Sequence, residues 1–332
     1  MTEPHKKTTS RLKEGAAFCC FLAALLGFVW LASAVLIPHR TEFGANWGAF
    51  QKEKRDSLDA VFFGSSIVYC DIIPAVIYER SGISSYVLAG PEQTLTTTEY
   101  YVKEMFRTQS PKLVLVEVTG VFYPKYTAYT KANIGYMPPS LNRLGATFRA
   151  AEPEERLGLL FPPYNYHDEE LRFENLRYPA DDLAGYTLVT ETTDIGGMLQ
   201  RPVEYDEGVF RANIGSLREI ARVCREEGSR VLFFLAPNYY PWERLPLLEH
   251  EVGAIEDAEF INFNNHLGDL SVEVETDFFD PQHFNVWGAE KFSAYIAPML
   301  GERISERKET DKTLWQRRVA VIENVLSARQ GS

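Results

Sequence analysis

The sequence predicts an α/β protein: a three-layer α/β/α sandwich around a central parallel sheet, with a transmembrane helix at its N-terminus. Three observations carry this. From residue 60 onward, short apolar strands alternate with segments of helical periodicity, the pattern that stacks helices on both faces of a parallel sheet. Gly82, Gly90, Pro111 and Pro237 follow these segments one after another and end them. Ahead of them, Gly15 to Ile37 is an uncharged, mostly apolar run long enough to cross a bilayer as a helix.

The elements follow in order. Lys6, Lys7, Arg11 and Lys13 precede the apolar run. The positive-inside rule then places residues 1–14 in the cytoplasm, 15–37 in the membrane as an anchor, and 40–332 outside. Ala32-Ser33-Ala34 resembles a signal-peptidase site, so cleavage is the competing reading. The run exceeds the usual apolar region of a signal peptide, which favours a retained anchor. Residues 40–58 are polar and predict a short helical connection. Ala60–Phe63 reads as a buried strand, Pro74–Ser81 as a helix ended by Gly82, and Ser85–Leu88 as a second strand. A helix over Thr96–Thr108 and a third strand over Leu113–Val118 come next.

Between Gly120 and about Tyr205 the alternation disappears into a stretch rich in Tyr and Pro. It reads as an insertion at about 120–205. Launched from the carboxyl edge of the sheet, where ligands bind in open parallel sheets, it would either border a site or merely elaborate the fold. The pattern resumes with a helix over Val209–Glu227, a strand over Arg230–Leu235, a helix over Leu245–Gly253 and a short strand over Phe260–Asn262. A helix over Val286–Leu300 follows, and an amphipathic one over Thr310–Gln330 places Trp315, Val319, Ile322 and Val325 on one face.

Composition narrows the function. Forty-six acidic against 34 basic residues give a net charge of −12. That argues against nucleic acid, which needs a basic face, and fits a soluble acidic surface. Of the four cysteines, Cys19 and Cys20 lie in the apolar run. Cys70 and Cys224 allow at most one disulfide, so this is no disulfide scaffold. The six histidines lack His-x-His and His-Glu-x-x-His spacing, so no metal site is indicated. No cofactor is called for.

Two short motifs carry chemistry. The first strand runs into Gly64-Ser65-Ser66, which places Ser66 at the top of the sheet beside the first N–H groups of a helix, where an oxyanion can be held. Far along the chain, Asp280-Pro281-Gln282-His283 sets a carboxylate three residues before a histidine. Such a carboxylate can hold one ring nitrogen while the other takes a serine proton. Alone, the first motif reads better as a turn and helix cap and the second as a surface turn. Together they supply nucleophile, base and orienting acid.

In combination the motifs resemble the SGNH (GDSL-type) hydrolase superfamily over roughly residues 58–300, apart from the insertion. The resemblance implies a flavodoxin-like fold, with Ser66 as nucleophile, His283 as base and Asp280 as its partner. Leu88-Ala89-Gly90-Pro91-Glu92-Gln93 stands where the superfamily's second block donates an oxyanion N–H, which assigns Gly90 and Gln93 to oxyanion and substrate binding. The third block departs: Glu117-Val118-Thr119-Gly120 lacks the expected Asn. The anchor, Gly-Ser-Ser, and a closing block of Asp280, His283, Asn285, Gly288-Ala289 and Lys291-Phe292 look like the membrane-anchored branch. That branch includes the D-alanyl-lipoteichoic-acid and alginate O-acetylation proteins. Phe161 to His167 resembles a Tyr-x-Tyr-His segment of the branch, with His167 as a candidate substrate contact. The resemblance implies a cell-surface glycan or acylated polymer as substrate and a multispanning membrane O-acyltransferase as partner.

The leading expectation is an extracytoplasmic serine-dependent O-acyl, by default acetyl, transferase or esterase acting on a cell-surface or exported polysaccharide. The alternative is a glycan-binding or assembly module whose triad is weak or vestigial, prompted by the missing Asn.

Overall fold

A computed structural model describes residues 4–195, 205–238 and 244–328. They divide into two compact units. One comprises Met1–Pro38 together with Leu157–Arg177, and the other His39–Arg156 with Tyr178–Ser332.

The first unit is built on helix α1, Pro4–Leu36. Its stretch Lys13–Leu36 is long and apolar enough to cross a membrane. Residues 157–177 cluster with α1. The reason is local. The last carbonyls of a helix have no intrahelical donor, and Val35 O accepts from Arg172 N (3.2 Å) and Asn175 Nδ2 (2.8 Å).

The second unit holds a parallel sheet of β1 (Ala60–Phe63), β2 (Ser85–Val87), β3 (Leu113–Glu117), β4 (Arg230–Leu235) and β5 (Ala258–Asn262). Its order is β2-β1-β3-β4-β5, the doubly wound order whose switch point lies between β1 and β3. The inner strands β1 and β3 are buried throughout, as both-face burial requires of central parallel strands, and the edge strand β2 is buried as well. A separate antiparallel pair, β6 (Phe278–Asp280) and β7 (His283–Phe284), brackets Pro281-Gln282.

Five helices follow from their end signals. α2 (Ser66–Asp71) begins directly after the β1 turn. α3 (Pro74–Ser81) starts on Pro74 and ends on left-handed Gly82, the Pro-first, Gly-last asymmetry of helices. α4 (Leu95–Met105) is capped by Thr94, and α5 (Glu207–Glu226) by Asp206, whose carboxylate accepts from Val209 N at 2.8 Å. α6 is Leu245–Gly253.

On one face of the sheet, Ala60, Phe62, Leu115 and Phe234 pack with Ile73 and Ile77 of α3 and with Phe292 and Ile296 of α7 (Val286–Arg303). The C-terminal helix α8, Lys312–Ala328, lies over α3. There Trp315 stacks on Tyr78 (centroids 4.8 Å apart) and Ile322 joins the core, so the amphipathic face closes on its own domain. Arg318, also buried, pairs with Glu53 and donates to Asp181 O. α4 and α5 cover the opposite face, and the helix Leu141–Arg149 of the insertion packs on α4.

Residues 45–50 are not a polar connection. Trp47 and Phe50 are 1% exposed and meet Tyr101 and Tyr86 edge to face. The charges at Lys52, Lys54 and Arg55 conceal a short apolar plug from a reading of average polarity. Cys70 and Cys224 are both buried and free, so the possible disulfide does not form.

Candidate active site

The site grows from the end of β1. Gly64 adopts φ +155, and a Cβ there would come within 2.5 Å of Val68 Cγ2 and 2.9 Å of Glu117 Cβ. Only glycine turns the chain this sharply without strain. The turn starts α2 at Ser66, so Ser66 N and Ile67 N have no intrahelical acceptor, while Val68 N donates to Ser65 O at 3.1 Å.

His283 arrives from the far end of the chain. In the β6–β7 hairpin Asp280 pairs with His283. Asp280 Oδ1 accepts from Gln282 N (2.8 Å) and His283 N (3.1 Å), fixing the carboxylate within its own turn. His283 Nδ1 lies 2.9 Å from Oδ1 and 2.8 Å from Oδ2 of Asp280. His283 Nε2 lies 2.8 Å from Ser66 Oγ. Nδ1 bonded to a carboxylate carries the proton, which leaves Nε2 to accept from the serine. Burial alone would raise the Asp280 carboxyl. The hydrogen bond and charge of His283, with the two backbone N–H groups, outweigh it and hold the group below its ordinary value. Asp280 is therefore an anion at neutral pH.

The rest of the closing block is scaffolding for this hairpin. Asn285 caps α7, accepting from Trp287 N and Gly288 N, while its Nδ2 donates to Thr276 O at 2.8 Å. A Cβ on Gly288 would lie 2.3 Å from Asp277 O, so the hairpin can reach the helix only over a glycine. Lys291 Nζ meets the buried Asp277 carboxylate at 2.6 Å.

Asp71 ties α2 to the same hairpin by accepting from Phe284 N at 2.9 Å. Burial pushes its carboxyl well up, the Phe284 bond opposes, and the charges of Asp280 and Glu117 push it further. Glu117, where the third block expects Asn-bearing sequence, turns inward instead. Its Oε1 accepts from the N–H and hydroxyl of Thr119. Burial moves its pKa up to about 7 against those bonds.

The Leu88–Gln93 stretch lies beside the Gly64 turn. Gly90 N donates to Gly64 O at 3.3 Å. That bond links the two blocks and occupies the N–H assigned to an oxyanion. Gln93 is buried, and its Nε2 donates to Thr98 Oγ1 at 2.9 Å, so it braces the turn from inside. Three residues escape a sequence reading. Asn133, from the insertion, lies against Gly90 and donates to Pro91 O (2.9 Å). Tyr123 donates to Ser65 Oγ at 3.3 Å. Tyr69, one turn along α2, contacts Ser66, and burial pushes its phenol up so that it stays protonated. Tyr69 had a usable signal in its i, i+3 spacing from Ser66; the other two had none. His167 belongs to the first unit, where its Nδ1 lies 2.8 Å from Tyr164 O and its Nε2 3.2 Å from Asp168.

No family model matches the chain, and no curated protein matches it. Among solved structures it is similar to an acetyl xylan esterase from the rumen bacterium Butyrivibrio proteoclasticus, with a TM-score of 0.37 and 8% identity. The match covers 75% of this chain and 64% of that one.

Proposed function

We propose that this protein is a serine-dependent acyl-handling enzyme that takes acyl groups, acetyl by default, to or from a cell-surface or exported polysaccharide. The observation that carries the reading is the continuous Ser66–His283–Asp280 relay, with contacts of 2.8 Å at the nucleophile and 2.8 Å at the acid.

Ser66 Oγ attacks the acyl carbonyl while His283 Nε2 takes its proton. The Asp280 anion stabilises the imidazolium, and N–H groups of the first turn of α2 face the developing oxyanion. His283 then protonates the leaving oxygen. An acyl-Ser66 intermediate remains, and a sugar hydroxyl or water, deprotonated by His283, resolves it. The apolar α1 supports an anchored protein, and its basic flank supports an extracytoplasmic site. With that topology, a multispanning membrane O-acyltransferase that exports acyl groups is the fitting donor, and His167 is a candidate contact for the polymer.

The test is to incubate the full chain with an activated acetyl ester, quench in acid, and weigh the peptide that carries Ser66. An acetyl mass on Ser66, passed to an added glycan, supports transfer; release to water alone supports hydrolysis. An unmodified Ser66 in every condition contradicts both.

One observation favours a second reading. The Gly90 N–H is engaged with Gly64 O, which leaves the oxyanion site with fewer donors. A glycan-binding module would follow. Its signature is glycan affinity unchanged by Ser66→Ala, with no acyl-enzyme formed.

A further inference from the structure

The segment that clusters with α1 has an unusual surface. Leu157, Leu160, Phe161, Tyr164, Phe173 and Leu176 are all exposed, Phe173 at 72% and Leu157 at 64%. Scattered apolar residues are ordinary on a protein surface, but this many large ones on one 20-residue segment are not. Two of its short helical pieces, Pro162–Asn165 and Phe173–Leu176, pack on α1. Between them runs the polar stretch His167-Asp168-Glu169-Glu170.

Its position on α1 says what covers it. From Lys13 to Val35 the helix rises roughly 33 Å at 1.5 Å per residue. The hydrocarbon core of a bilayer is about 30 Å thick. If Lys13 marks one boundary, the Val35 carbonyl lies at the other, and this is the carbonyl that Arg172 N and Asn175 Nδ2 hold. The apolar side chains are therefore tied to the level where a membrane changes from hydrocarbon to headgroups, the level at which aromatic side chains concentrate. At that depth an unpaired helix-end carbonyl is costly, and the two donors remove the cost.

We propose that residues 157–176 form a wedge seated in the membrane interface beside α1, with Phe161 and Phe173 entering lipid and the 167–170 stretch facing water. The inference rests on α1 spanning the bilayer. The segment carries Asp168, Glu169, Glu170 and Glu174 against Arg172. It is net acidic, so its seating is apolar and needs no anionic lipid.

The test uses the full chain in phosphatidylcholine nanodiscs. Cys19 and Cys20 are replaced by alanine, leaving only the buried Cys70 and Cys224. A single cysteine carrying a nitrobenzoxadiazole probe is placed at Leu22, Phe161, Asp168 or Phe173. The expected result is blue-shifted emission at 161 and 173, quenched by lipid spin-labelled near the glycerol level and spared by iodide, with Asp168 quenched by iodide. The pattern should persist at high salt. Iodide quenching at 161 and 173, with Leu22 quenched by lipid spin-labelled deep in its acyl chain, overturns the wedge and keeps the anchor. Loss of lipid quenching at Leu22 as well overturns the anchor itself. Protection of 161 and 173 from both quenchers overturns the lipid assignment in favour of protein contact.

Discussion

Glu117→Gln isolates a single buried proton. Glu117 is 1% exposed beneath the Gly64 turn, and its carboxyl titrates at about 7 rather than the ordinary 4.5. In the unfolded chain it ionises at the lower value. Between the two pH values the folded state keeps a proton that the unfolded state has lost. Stability is therefore complete below the lower value and falls as pH rises, until the folded carboxyl also ionises. Each pH unit inside the window removes about 1.4 kcal/mol. Integrated from pH 5 to pH 8, Glu117 alone removes roughly 2.5 kcal/mol. Glutamine keeps an oxygen for the Thr119 N–H and hydroxyl and has no proton to lose. Urea unfolding of the full chain in detergent, wild type against Glu117→Gln at pH 5, 6, 7 and 8, reads the effect directly. Other titrating groups act alike in both proteins and cancel. The variant should gain on the wild type by about 2.5 kcal/mol across the range. Parallel pH profiles would refute the buried, neutral carboxyl.

Further outcomes follow from the same geometry. Asp71→Asn should unfold and react with serine-directed probes much like wild type, because an amide oxygen can still accept from Phe284 N. Asp71→Ala should lose about 1–3 kcal/mol by leaving Phe284 N unpaired and should slow labelling of Ser66, since Phe284 adjoins the base. Gly288→Ala should cost about 1–3 kcal/mol in urea unfolding, because its methyl meets the Asp277 carbonyl and both must shift. Lys291→Met should cost about 3 kcal/mol in urea unfolding by stranding the buried Asp277 carboxylate.

Much of the second unit was legible because its signals are local. β1, β3 and β4 are apolar runs buried on both sides, and α3 carries its own start and stop residues. The Asp280–His283 step was legible for the same reason: a two-residue turn brings its ends together whatever lies elsewhere. What could not be read depends on partners distant in sequence. Trp47 finds Tyr101, and Asn133 finds Gly90, across 54 and 43 residues of chain. That Asp71 accepts from Phe284 N and Glu117 from Thr119 is visible only in the folded chain. The bond from Gly90 N to Gly64 O depends on the approach of two loops that no motif encodes. Residues 157–177 look like part of an insertion in sequence; their hydrogen bonds to Val35 assign them to α1.

The central claim is that Ser66 is a working nucleophile driven by His283. Fluorophosphonate labelling of the full chain, with Ser66→Ala and His283→Ala beside it, tests this most directly. The account predicts a labelled wild type, with the probe on Ser66, and no labelling of either variant. A folded wild type that takes no label, or label that persists in Ser66→Ala, would contradict it.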